Sequence, residues 1–119
     1  MKLRIKSNTI RLRLSKSEVA QLAAEGHLQE QTTFANSTFT YAVQSDADTD
    51  TITADFTNGT LTVYMPQNLV QDWPVNDVVS LDNKNAASNL FILIEKDFKC
   101  IDNSAEDQSD NYENPYKTC

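Results

Sequence analysis

The sequence predicts an α+β domain: a mostly antiparallel, strongly curled sheet of about seven or eight strands, forming a half-barrel or barrel, with one helix after the first hairpin and a short second helix. Three observations carry this expectation. Apolar residues recur at every second position through most of the chain, which is the period of a half-buried strand. Asn58-Gly59 separates two such runs, and both central positions of a type I′ turn need a positive φ. Ser15-Lys16-Ser17-Glu18 has capping-box spacing, which marks the start of a helix. So many strands in 119 residues should curl, because an open sheet leaves edges that must be managed.

The chain opens with Leu3 and Ile5 alternating with Lys2, Arg4 and Lys6, followed by Ile10, Leu12 and Leu14 alternating with Arg11 and Arg13. Two strands joined at Ser7-Asn8 would give a hairpin with one apolar and one basic face. After the capping box, Val19, Leu22 and Ala23 give a helix a narrow apolar stripe, and Gly26 supplies a left-handed stop. Leu28, Thr32 and Phe34 mark the next strand, Ala35-Asn36-Ser37 its turn, and Phe39, Tyr41 and Val43 the strand that follows. Ile52, Ala54 and Phe56 then pair with Leu61, Val63 and Met65 across Asn58-Gly59. Pro66 to Trp73 reads as a short helix, with Pro at its start and Pro74 just after its end. A short strand is expected over Val78 to Leu81. Leu90 to Ile94 is apolar on both faces, which places it inside the sheet, continuing as Glu95-Lys96-Asp97-Phe98.

One domain over residues 1–101 accounts for this pattern, and residues 102–119 turn to Asp, Asn, Ser, Glu and Gln, an acidic tail expected to be mobile unless it docks on the domain. Two Gly and one His exclude the glycine-rich phosphate and dinucleotide loops and argue against a multi-histidine zinc site. No run of apolar residues is long enough to cross a bilayer, and the amino terminus lacks the layout of a signal peptide, so a cytoplasmic protein is expected. Asn36-Ser37-Thr38 and Asn58-Gly59-Thr60 match the glycosylation pattern, which has no meaning without secretion. Cys100 and Cys119 cannot make a disulfide framework, and a reducing cytosol would keep both as thiols.

Charge is distributed unevenly. The whole chain carries −7, yet residues 1–16 hold six bases and no acid, leaving −13 on the remaining 103. The acidic total repels phosphate backbones, so nucleic acid is not the expected partner. The basic hairpin face must be offset by solvent, by this chain or by a ligand. Glu95 and Asp97 share a strand face and would meet Arg4 or Arg11 if the last strand lay beside the hairpin, and the acidic tail offers a second offset. The candidate binding residues are therefore Arg4, Lys6, Arg11, Arg13 and Lys96. Alternation sets Lys96 with Ile92, Ile94, Phe98 and Cys100, where an ammonium must snorkel, pair or lose its proton.

Other features carry blander readings. Asp46, Asp48 and Asp50 have the first spacings of a calcium loop, but Thr51 stands where Gly makes the turn and Thr57 where a bidentate Glu belongs. His27 reads as a surface residue, with a Cys100–His27 pair as the catalytic alternative. Phe34, Phe39, Phe56, Tyr41, Tyr64 and Trp73 read mostly as core.

Leu3-Arg4-Ile5-Lys6 through Ile10-Arg11-Leu12-Arg13-Leu14-Ser15-Lys16-Ser17-Glu18-Val19, with Leu93-Ile94-Glu95-Lys96-Asp97-Phe98-Lys99-Cys100 and the Glu106-Asp107 to Asn114-Pro115 segment, resembles a family of small uncharacterised bacterial proteins. The resemblance implies a stand-alone bacterial domain and transfers no activity to any residue. The residues themselves favour a non-enzymatic binding module using the basic hairpin, with an acidic protein or an anionic small molecule as partner and a homodimer allowed. The alternative is an enzyme or binder for an anionic, phosphorylated small molecule inside a curled sheet, which needs Arg4, Arg11 and Arg13 to point into a cavity. No cofactor is implied, and a metal held by Cys100, Cys119 and tail carboxylates is a third, weaker reading.

Overall fold

A computed structural model of the chain describes residues 1–84 and 88–98. The expectations for Cys100, Cys119 and the acidic tail concern positions outside these residues. Strands β1 (Lys2–Lys6) and β2 (Thr9–Leu14) form the opening hairpin, and Ser7 takes a φ of 50° in its two-residue turn. Helix α1 (Lys16–Glu25) follows. Its cap is the expected box: Ser15 Oγ accepts from the Glu18 N–H at 3.3 Å, while the Ser15 N–H donates to Glu18 Oε1 at 2.8 Å. Gly26, at φ 75°, ends the helix and donates its N–H to the Leu22 carbonyl.

Two more hairpins come next, β3 (His27–Thr33) with β4 (Thr38–Asp46) and β5 (Thr53–Thr57) with β6 (Thr60–Pro66). Asn58 and Gly59 both have positive φ, at 52° and 76°, as the type I′ turn requires. Helix α2 is only Gln67–Gln71, because Pro66 still belongs to β6 and Trp73 lies in a separate 3-10 turn over Trp73–Val75. Strand β7 is Ser80–Asp82, and β8 is Phe91–Lys96.

The strands do not make one curled sheet or a barrel. They form two separate four-stranded sheets, ordered β1-β2-β8-β7 and β3-β4-β6-β5, and neither is closed. Each sheet joins two hairpins through their second strands, and those central pairings, β2 with β8 and β4 with β6, run parallel. The physical reason for two sheets lies in how the apolar faces are covered. Leu12, Leu14, Ile92 and Ile94 from the first sheet share one core with Leu28, Val43, Val63 and Met65 from the second. Val19 and Leu22 of α1, Val70 of α2 and Trp73 complete that core. Each sheet thus buries its apolar face without rolling up on itself.

Two smaller expectations are corrected. Phe34 and Phe56 are exposed, at 56% and 65%, so the core does not take them. Phe34 falls after β3, in the turn, where its N–H reaches the Ser37 carbonyl at 2.7 Å. The loop before β8 is fixed by Asn83, the one buried polar residue among those described: its amide Nδ2 donates to the Leu90 carbonyl and its Oδ1 accepts from the Ile92 N–H, both at 2.8 Å.

Candidate functional site

Alternation in β1 and β2 turns Leu3, Leu12 and Leu14 inward, so Lys2, Arg4, Lys6, Arg11 and Arg13 share the outward face of the first sheet. The register sharpens this. Arg4 stands directly opposite Arg11, and Lys2 opposite Arg13, two like-charge pairs that cost stability unless anions intervene. The parallel pairing with β8 then brings Glu95 beside Arg13 and Leu93 beside Arg11.

Glu95 Oε1 accepts from Arg11 Nε at 2.8 Å and from Arg13 Nε at 2.6 Å. Lys2 Nζ lies 2.9 Å from Asp97 Oδ2. Burial pushes the Glu95 carboxyl up, but the hydrogen bonds and charges of Arg11 and Arg13 outweigh it and hold the group below the usual carboxylate range. The last strand does lie beside the hairpin, and its acids meet Arg11, Arg13 and Lys2. Among the described residues this face carries five cations against the carboxylates of Glu95, Asp97 and Asp82, with half-buried Leu93 and exposed Phe91 between them. The side chain of Lys2 remains 71% exposed while paired, whereas those of Arg11 and Arg13 are 27% and 36% exposed.

Lys96 is not part of this face. Its strand parity points it inward, where Nζ donates to the Asn76 carbonyl at 2.8 Å and lies 5.9 Å from the centre of the Trp73 ring. The ammonium is satisfied at the strand end by a carbonyl and an aromatic face. Trp73 is held in turn by its indole N–H, which donates to the Val78 carbonyl at 2.8 Å. His27 is on the surface, with Nδ1 2.8 Å from Gln44 Oε1 and Nε2 3.2 Å from Gln29 Oε1. In the Asp46–Asp50 loop, Asp46 Oδ1 accepts from the Asp48 N–H, and no group of three metal-ligating side chains gathers among the described residues.

A second polar cluster escaped the sequence reading. The Met1 ammonium donates to Glu18 Oε2 and, at 2.9 Å, to Glu30 Oε1, while the Tyr41 hydroxyl donates to Glu30 Oε2 at 2.7 Å. The hydrogen bond to Glu30, with burial and nearby carboxylates adding to it, pushes the Tyr41 phenol up to about 12. Burial alone would lower the Met1 ammonium, yet Glu18 and Glu30 raise it above its ordinary value. One signal pointed here: Glu30 shares strand parity with buried Leu28, and a carboxylate at an inward position needs a partner.

Compared with known families, the chain matches the family of unknown function DUF7009 over residues 1–116. The chain belongs to that family. The match spans nearly the whole DUF7009 chain, and the family's description assigns no activity, so none of the residues above inherits a role from it. No curated protein and no solved structure matches the chain. No helix among the described residues is long and apolar enough to cross a membrane.

Proposed function

We propose that this DUF7009 chain is a non-catalytic binding module whose recognition surface is the outward face of the β1-β2-β8 sheet, and that its partner is a carboxylate-rich protein segment. The observation that carries the reading is the register: among the described residues five cations stand on one face, two like-charge pairs directly opposite each other, with three carboxylates among them. The surplus positive charge sits on a chain whose total is −7, so the field of this face is local and opposite in sign to the rest. Arginine's planar fork suits carboxylates, and Phe91 with Leu93 offers apolar contact beside it. The enclosed anion site of an enzyme has less support, because Arg4, Arg11 and Arg13 line the outer face of an open sheet. A cytosolic setting belongs to the same reading, consistent with the sparing use of cysteine, two in 119 residues.

The test is binding of a fluorescent poly-glutamate peptide by anisotropy. Between ~0.05 and ~0.5 M salt the screening length shrinks about threefold, and affinity should fall about tenfold or more. Replacing Lys6 by Glu should weaken binding in the same direction. Affinity indifferent to salt, or no binding at low salt, would falsify the proposal.

A further inference from the structure

The two sheets end on four edge strands, β1 and β7 in the first, β3 and β5 in the second. Two of these edges match each other. β1 and β5 are both five residues long, and both are buried in the same sequence: only the second residue is half-buried, the other four exposed. Each carries one large exposed apolar side chain at its fourth position, Ile5 at 57% and Phe56 at 65%. Each carries a charge at its third position, Arg4 in one and Asp55 in the other. β7 has three residues and no exposed large apolar side chain, and β3 shows an exposed edge of His, Gln and Thr.

An edge strand turns every second N–H and C=O away from its neighbour, ready to pair with another strand. We propose that β1 of one copy pairs with β5 of a second copy, so that the basic sheet of one molecule continues into the second sheet of the next. Aligned antiparallel, so that the outward-turned N–H and C=O groups of Leu3 and Ile5 meet those of Phe56 and Ala54, Arg4 stands opposite Asp55, Leu3 opposite Phe56 and Ile5 opposite Ala54. Both charges then lie on the outward side, and all four apolar side chains lie on the inward side. The inference rests on the reading of the basic face as a recognition surface and names a second copy as its occupant. The chain's net negative charge opposes association at long range, but screening beyond about 8 Å at physiological salt leaves the local pair to decide. Because the two edges differ, the contact is head-to-tail, and each added copy presents a fresh edge at either end.

Charge reversal in two halves tests it. In sedimentation velocity over a concentration series, the parent should form a ladder of species, while Arg4→Glu and Asp55→Lys should each run as monomers. An equimolar mixture of the two variants offers the native charge pair and its reversed counterpart alternately, and should restore the ladder from dimers upward. Far-UV circular dichroism establishes that each variant is folded, and Phe56→Lys with Ile5→Lys repeats the test through the apolar contact. A parent that stays monomeric, variants that associate like the parent, or a mixture without dimers would each overturn the pairing. Poly-glutamate binding separates the two readings: a monomeric parent that still binds it in a salt-sensitive way loses the edge pairing and keeps the face, whereas a parent that does not bind it loses the face.

Discussion

Glu95 holds the candidate face together through a single oxygen that accepts from both Arg11 and Arg13, with its side chain only 14% exposed. Replacing it with Gln leaves two guanidinium groups beside a neutral amide and should cost about 1.5–3 kcal/mol in urea unfolding, the range for hydrogen bonds to charged groups. The pH dependence follows from the depressed carboxyl. A folded-state pKa below the unfolded one stabilises at neutral pH, and that contribution is lost as pH falls through the folded value. Glu95→Gln should therefore flatten the acid side of the stability profile. This pairing was partly legible in the sequence, since strand parity sets Glu95 and Asp97 opposite the inward residues of β8. Parity does not reveal register, which is why the sequence pointed to Arg11 but not to Arg13 beside Glu95 or to Lys2 beside Asp97. Met1, Glu18, Glu30 and Tyr41 were less legible, because the cluster brings the amino terminus to side chains of α1, β3 and β4, a meeting that no local pattern signals.

Turns and caps were the most legible elements, because their chemistry is local. The capping box, the Gly26 stop and the Asn58-Gly59 turn all stand where residue type demands. Gly59→Ala should destabilise the β5–β6 hairpin, since φ is +76° and an added Cβ would lie 3.2 Å from the Thr38 carbonyl oxygen. The left-handed conformation alone costs a non-glycine residue about 1–2 kcal/mol, which thermal unfolding of the variant can read. Elements set by distant contacts were less legible. The short strand begins at Ser80 because its partners are on β8, with the Lys96 N–H donating to the Val79 carbonyl at 2.9 Å just before it. The expected Pro66–Trp73 helix divides because Trp73 must turn its indole toward Val78 while its ring enters the core.

For the whole molecule, alternation told which side chains face inward but not which strands are neighbours, and so one curled sheet was expected where two stand. The deciding contacts, β2 with β8 and β4 with β6, are parallel and bridge other elements. The two sheets also share a polar join, where the Met1 ammonium beside β1 meets Glu18 of α1, Glu30 of β3 and, through Glu30, Tyr41 of β4. The ammonium is raised above its ordinary 8.0 and the phenol to about 12. Raised values contribute stability below the unfolded pKa, and that contribution disappears as pH rises through the folded one. Stability should accordingly decline in two alkaline steps, the first starting above 8.0 and the second between 10.0 and about 12. Tyr41→Phe should abolish the second step and cost about 1 kcal/mol at neutral pH, measured by denaturant titration at each pH. The central parallel pairing of the first sheet has a further consequence for biosynthesis. Arg13 and Glu95 are 82 residues apart, so while the chain emerges from the ribosome the edge of β2 that will pair with β8 stays open until β8 has been translated. The second sheet, complete by Pro66, can be in place long before.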